Sequence, residues 1–281
     1  MMKIRDLFRA DKNQKLGADH ASSVTLGAAA KGGDKSLSKS DAKALDREEI
    51  QSLTERLAVC QTMLYACQEQ KVLLVLQGMD SSGKDGTISA MFNYINPMGL
   101  RAVRFKAPTD IELAHDYLWR VHQQVPVKGE IAIFNRSHYE DVVVVPVQQL
   151  IDQNECERRY GQIRDFERLL AETGTVIIKV FLHISKEEQR ERLQQRLDDP
   201  NKQWKFDPSD ITQRKLWDDY QRAYEQAIRE TDADHAPWYV VPANSKTQRN
   251  LIVANLLLET MESLKLHCPP PDPHLTSFKV I

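Results

Sequence analysis

Three observations predict an α/β fold, a doubly wound, five-stranded, mostly parallel sheet in three αβα layers. Five short apolar runs, Val72–Leu76, Ala102–Phe105, Ile131–Phe134, Val176–Ile184 and Trp238–Val241, have the composition of buried parallel strands, and each pair is separated by enough sequence for a crossover helix. Helix starts between them carry chemical marks: Thr109 with Glu112 and Ser185 with Glu188 form capping boxes, and Asp207 before Pro208 is an N-cap with proline at N1. The 281 residues, 41% hydrophobic, suffice for one sizeable core. In such sheets the site lies at the carboxyl ends of the strands, so the loops after Gln77, Phe105, Phe134 and Val241 should converge.

Taken from the N-terminus, residues 1–40 read as a flexible arm, because Lys12 to Ser40 is rich in Ala, Gly, Ser and Lys and cannot bury enough surface to offset ordering entropy. Residues 41–266 read as one domain and 267–281 as a tail. Between Asp41 and Gln70, Ile50, Leu53, Leu57, Cys60, Leu64 and Cys67 recur at steps of three and four, a helical stripe that packs on its own core or serves a contact with another chain.

The first strand runs into Gly78-Met79-Asp80-Ser81-Ser82-Gly83-Lys84-Asp85-Gly86-Thr87. A buried strand, a glycine loop and a helix start in this order aim successive backbone N–H groups at one spot, and the helix dipole adds to them. Such a spot holds phosphate. Gly78 and Gly83 allow close backbone approach, and Lys84 can place an ammonium on terminal phosphate oxygens. Asp85 stands where a Ser or Thr hydroxyl usually meets Mg²⁺ in this spacing. Asp80 inside the loop would repel a bound phosphate unless a cation lay between them, which makes it a candidate ligand for Mg²⁺, with Mn²⁺ as a substitute.

Three further blocks carry chemistry. Arg104-Phe105-Lys106-Ala107-Pro108-Thr109, with Trp119-Arg120 beyond, reads either as core and helix packing or as a base-stacking and phosphate-clamping segment. Phe134-Asn135-Arg136-Ser137-His138-Tyr139-Glu140-Asp141 ends the third strand; a guanidinium there suits a transferring phosphoryl group, while Ser137 and Glu140 also fit a plain capping box. Arg192 and Arg196, four apart on one helical face, precede the lysines Lys202 and Lys205, and the segment about 186–215 reads as a helical lid or as an ordinary solvated helix and loop.

Net charge is −2, so the overall balance gives no electrostatic reason to expect nucleic acid or an anionic membrane as a partner. No apolar run approaches the roughly 20 residues that span a bilayer, and Met1-Met2-Lys3-Ile4-Arg5-Asp6 opens no signal-peptide segment. Cys60, Cys67, Cys156 and Cys268 show no metal or disulfide spacing, which points to free thiols and a cytoplasmic setting.

The four blocks in this order resemble the family-2 polyphosphate kinases, over roughly Asp41 to Leu264, with Ala236-Pro237-Trp238 before the last strand as a further match. Many members carry Asp at the position of Asn135 and a Trp-Tyr-Asn run at His138-Tyr139-Glu140; the variant seen here is similar to the third class, which phosphorylates nucleoside monophosphates as well as diphosphates. The resemblance implies a P-loop kinase-like fold, transfer of a terminal phosphoryl group from inorganic polyphosphate to AMP and ADP, adenine or guanine nucleotides as partners, and a homo-oligomer, dimer or tetramer. By the same resemblance Asp80 and Lys84 match essential loop residues, Asp85, Arg136, Glu140 and Asp141 match the acceptor and metal site, and Arg192, Arg196, Lys202 and Lys205 match the polyphosphate channel. An ATP-dependent small-molecule kinase of the same architecture, or a nucleotide-binding regulatory protein, is the rival expectation.

Overall fold

Strand β1 (Lys71–Gln77) lies at the centre of a five-stranded sheet because both its faces are covered, and its residues from Val72 to Gln77 are buried. The computed structural model describes residues 3–13, 15–23, 25–27, 38–268, 272–274 and 278. In chain order these form α1 (Ile4–Phe8), α2 (Ala18–Ala21), α3 (Lys39–Cys67), β1, α4 (Lys84–Phe92), β2 (Leu100–Arg104), α5 (Asp110–Leu113), α6 (Trp119–His122), β3 (Ile131–Asn135), α7 (Glu140–Val147), α8 (Gln153–Glu172), β4 (Thr175–His183), α9 (Lys186–Asp198), a 3₁₀ turn (Gln203–Lys205), α10 (Pro208–Lys215), α11 (Trp217–Thr231), β5 (Trp238–Pro242) and α12 (Lys246–Ser263). The sheet order is β2-β3-β1-β4-β5, and every pairing is parallel. Val75 sits opposite Phe134 on one side and Lys179 on the other, which brings the carboxyl ends of β1 and β3 within one residue of each other, while β4 runs two residues further.

Helices α3, α4 and α12 pack together as one layer, and α7, α8 and α11 as the other, so the fold is the three-layer α/β arrangement that short parallel strands with crossover helices require. The expected helix starts are present: Thr109 and Glu112 form a reciprocal box, Ser185 accepts from the Glu188 N–H, and Asp207 caps α10 with Pro208 at its start. Stripe residues Ile50, Leu53, Leu57 and Leu64 are buried, and α3 packs on α12 of its own domain, which favours the core reading of that stripe.

Residues expected to form a loose arm are partly docked. The α1 N–H groups of Ile4 and Arg5 donate to the Glu259 carboxylate at 2.9 and 3.0 Å, Phe8 is buried, and Arg9 bridges antiparallel to Tyr239 on the open edge of β5. The Ala10 N–H donates to the Trp238 carbonyl at 2.9 Å, and Gly17 accepts from His183. An exposed strand edge offers unpaired donors and acceptors, and covering it gains hydrogen bonds that composition alone does not reveal. Residues 28–37 of that segment, and most of the tail at 267–281, lie outside the described residues. Phe8→Ala should therefore cost about 3 kcal/mol of stability, read as a shift of the urea midpoint; a midpoint equal to that of the unaltered protein would mean the segment is loose after all.

Candidate active site

At the end of β1 the chain turns through Gly78 (φ +147°), Ser81 (φ +65°) and Gly83 (φ +103°) before α4 begins. A Cβ on Gly78 would meet the Leu182 carbonyl, so that position needs glycine on steric as well as conformational grounds, while Gly83 needs it for its positive φ, with the Arg249 guanidinium packed close against it. The first N–H groups of α4 have no partner within the helix and point out of its N-terminus, which makes an anion cradle. Lys84, 8% exposed, lies across this turn with Nζ donating to the Gly78 carbonyl at 2.7 Å. Burial, helped by the nearby Arg136, lowers its pKa to about 8 against the opposing pull of Asp80, Glu140 and Asp85. Among the described residues, the buried hydroxyls of Ser81, Ser82 and Thr87 have no hydrogen-bond partner.

The cradle opens into a cleft of about 740 Å³ whose walls include Gly78, Asp80, Ser81, Gly83, Lys84, Asp85, Gly86, Arg136 and Glu140. Arg136 reaches it from the end of β3 in a left-handed conformation, φ +63°. Its guanidinium pairs with Asp80 at 2.5 Å and with Glu140 at 3.4 Å. Burial works against the charge of Arg136, but Glu140 and Asp80 outweigh it and hold the guanidinium firmly protonated. Burial raises the Glu140 carboxyl, a shift that Arg136 and Lys84 restrain. Asn135 donates to Asp85 at 2.5 Å, where a carboxylate at the same place would repel it. Ser137 does not cap α7: its hydroxyl accepts from the Tyr139 N–H, and the amide of Gln77, turned with its nitrogen to Glu140, bridges the two at 3.1 Å each.

The opposite wall is the segment from α9 through the 3₁₀ turn to α10, which contributes Arg192, Arg196, Lys202, Trp204, Lys205 and Asp210. Arg196 pairs with Asp210 at 3.6 Å, Lys202 with Asp199 at 2.6 Å, and Lys205 lies 4.9 Å above the ring of Trp204, which is 76% exposed. Arg192 differs from the channel residue expected. It is 7% exposed and donates to the carbonyls of Ser81 (2.9 Å), Ser82 (3.0 Å), Ala243 (2.7 Å) and Asn244 (2.8 Å), with Nε on Glu188 at 2.6 Å. All its donors are used, so it braces the glycine loop against α9 and the β5–α12 loop.

Seven other expected residues stay outside the cleft lining: Ser82 and Thr87, buried in the glycine loop and the first turn of α4, and Phe105, Lys106, Thr109, Arg120 and Asp141. Phe105 is buried edge-on against Phe134 with ring centroids 4.9 Å apart, which makes it core; Thr109 is occupied as an N-cap; Lys106 accepts at its carbonyl from Arg120 at 2.8 Å. Arg120 and Asp141 are both buried and lie 3.9 Å apart, with Arg159 at 3.7 Å on the other carboxylate oxygen. Burial raises the Asp141 carboxyl to about 6 despite these two guanidinium groups. Conversely, Arg104 of the candidate clamping block lines the cleft, and so do Lys246, Arg249, Gln189, Tyr220 and Tyr224, which no sequence motif marks. Burial, then the charge of Arg192, lowers Arg249 to about 10. Lys246 and Arg249 occupy the first turn of α12, directly after the loop expected to converge here, and that placement was the available signal.

A divalent cation is tested by the donor set. Among the described residues no group of three acidic, His or Cys side chains could hold a metal, whereas Asp80, with a 31% exposed carboxylate, faces the cradle. One carboxylate with phosphate oxygens and water is the donor set that Mg²⁺ takes at phosphoryl-transfer sites, so the residues fit a cation carried in with phosphate. No helix among the described residues is long and apolar enough to cross a membrane.

A family model described as Polyphosphate kinase 2 (PPK2) matches residues 39–268. The chain belongs to that family. It is 57% identical over 225 residues to AMP/ADP-polyphosphate phosphotransferase of Meiothermus ruber, covering 80% of this chain and 84% of the relative. It is 44% identical over 238 residues to ADP-polyphosphate phosphotransferase of Rhodopseudomonas palustris, covering 80% and 82%. The crystal structure of Polyphosphate Kinase 2 from Arthrobacter aurescens TC1 superposes with a TM-score of 0.87 at 40% identity, over 99% of this chain and 94% of that one. Family membership makes the chain a phosphotransferase, and the five-stranded parallel sheet is the family's fold.

The pKa of Lys84 gives a sign that can be measured. Because its folded-state value of about 8 lies below the ordinary lysine value of 10.5, its contribution to stability is complete above 10.5 and is lost as pH falls through about 8. Its charge, needed for anion binding, runs the other way. The kcat/KM for a phosphoryl donor should decline above about pH 8, and Lys84→Arg, permanently charged, should lack that alkaline limb at a lower plateau. A flat profile for the unaltered protein up to pH 9.5 would contradict the assignment.

Proposed function

We propose that this chain transfers the terminal phosphoryl group of inorganic polyphosphate to the phosphate of AMP and of ADP, giving ADP and ATP. The observation that carries the reading is the joining, in one cleft, of an anion cradle at the end of β1 with a basic wall from α9 to α10. The names of the relatives, AMP/ADP- and ADP-polyphosphate phosphotransferase, support the same donor and acceptors.

In the reaction an oxygen of the acceptor phosphate bonds to the terminal phosphorus, and the bond from that phosphorus to the bridging oxygen breaks. The shortened polyphosphate departs with the electron pair. The attacking oxygen is already anionic, so no strong general base is required, and positioning with charge neutralisation does the work. Lys84 turns from the Gly78 carbonyl to phosphate oxygens, and Arg136 meets the group in transfer. Asp80, with phosphate oxygens and with Asp85 nearby, would hold Mg²⁺ or Mn²⁺, which would supply further charge neutralisation.

Glu140, beside Arg136, governs which acceptor fits, and Asp141 holds the start of α7 through Arg120 and Arg159. Arg196, Lys202, Lys205, Lys246 and Arg249 track the polyphosphate, while α9 to α10 close over it and exclude water. We assign the protein to the cytoplasm, consistent with its four free thiols, and to a homo-oligomer.

The test supplies purified protein with Mg²⁺, polyphosphate and AMP, ADP, GMP or GDP, and no ATP. ADP formed from AMP supports the reading, and no product from any acceptor contradicts it. Glu140→Asn should change use of monophosphates more than use of diphosphates, by about tenfold in the ratio of kcat/KM values. Equal losses on both would remove Glu140 from acceptor choice.

A further inference from the structure

Beneath the Arg136–Glu140 turn lies a charged pair that the reaction itself does not use. Lys179, midway along β4, and Glu167, on α8, are 0% and 1% exposed and 2.6 Å apart. The Lys179 ammonium also donates to Tyr139 Oη and to the Thr231 carbonyl, both at 2.8 Å, which uses all three of its protons. The other oxygen of Glu167 accepts from Tyr139 Oη at 2.8 Å and lies 3.3 Å from His138 Nε2. His138 and Tyr139 are themselves buried, at 0% and 1% exposure, and with Ser137 they make up the stretch between Arg136 and Glu140.

Two arguments give this arrangement a purpose. An ion pair so deep is poor value for stability, since apolar side chains of similar volume fill such sites at equal or better stability. Arg136 holds a left-handed backbone conformation, which a long side chain keeps only where its surroundings over-determine it. Gln77 ties the turn through Ser137 and Glu140, and the buried pair ties it through His138 and Tyr139.

We propose that Lys179 and Glu167 are positioning residues: acting through His138 and Tyr139, they hold the turn in the register in which Arg136 and Glu140 face the cleft. This rests on the reading of Arg136 as a phosphoryl-binding group, so the test has one readout that involves no turnover.

The double variant Lys179→Met/Glu167→Met removes both charges together and should melt within a few degrees of the unaltered protein or above it. Its kcat with polyphosphate and AMP should fall by about tenfold or more with KM for AMP within about threefold, because only the transition-state contact is misplaced. Amide exchange over residues 135–141 should speed up by about tenfold while the β1 and β4 amides keep their protection. A folded double variant with kcat within about twofold of the original and unchanged exchange at 135–141 would overturn the proposal. Should the double variant fail to fold, Tyr139→Phe decides: it keeps the ring and removes the hydroxyl link, and unaltered kcat and exchange there would likewise overturn it. Absence of transfer by the unaltered protein would contradict the functional reading instead, and amide exchange would still judge the positioning.

Discussion

Repulsion between two polyanions is the constraint on which this architecture depends. Unit charges 4 Å apart repel by roughly 4 kcal/mol at an effective dielectric constant of 20, and a polyphosphate end beside a nucleotide phosphate brings several such pairs together. One ammonium cannot offset that. The protein answers with main-chain N–H groups at the start of α4, Lys84 across them, and guanidinium and ammonium groups from β3, α9, the 3₁₀ turn and α12 around one cleft. Those cations would repel one another were they alone. Asp80 and Glu140 hold Arg136, Asp210 holds Arg196, and Asp199 holds Lys202, so each of these cations already has a carboxylate partner, which phosphate would replace under the proposed function.

The fold matters because that exchange works only if the backbone stays still. Parallel strands of matched register bring the ends of β1 and β3 to the same level, and α4 starts where β1 stops. Arg192 then commits four of its five guanidinium protons to carbonyls of the glycine loop and the β5–α12 loop, which ties the cradle to the wall that faces it. Closure of α9 to α10 would in this view carry the glycine loop's brace with it, coupling polyphosphate entry to the geometry around Lys84.

Much of this was legible in the chain because local chemistry and the global fold agree. Five apolar runs became the five strands within two residues at each end, and the glycine loop, Lys84, Arg136 and the basic segment meet where the carboxyl ends of the strands predict. What could not be read has physical reasons. Composition made the N-terminal segment look loose, yet its docking rests on backbone bonds to the β5 edge and on Phe8, features that no local pattern displays. Arg192 lies on the expected helical face, but whether a guanidinium meets phosphate or carbonyls depends on what the loop opposite presents. Phe105 and Trp204 are both aromatic beside basic residues; only packing shows one in the core and the other exposed at the cleft. Lys179 sits inside an apolar run that reads as strand, and its partner Glu167 comes from a helix surface twelve residues earlier.

The central claim is that the amides opening α4, with Lys84, form the place where phosphoryl transfer occurs. A crystal structure of the protein with polyphosphate and AMP bound tests it most directly. The account predicts phosphate oxygens within about 3 Å of the main-chain nitrogens of Gly83, Lys84 and Asp85, with the Lys84 ammonium moved from the Gly78 carbonyl onto phosphate. Both ligands bound elsewhere, with Lys84 still on that carbonyl, would contradict it.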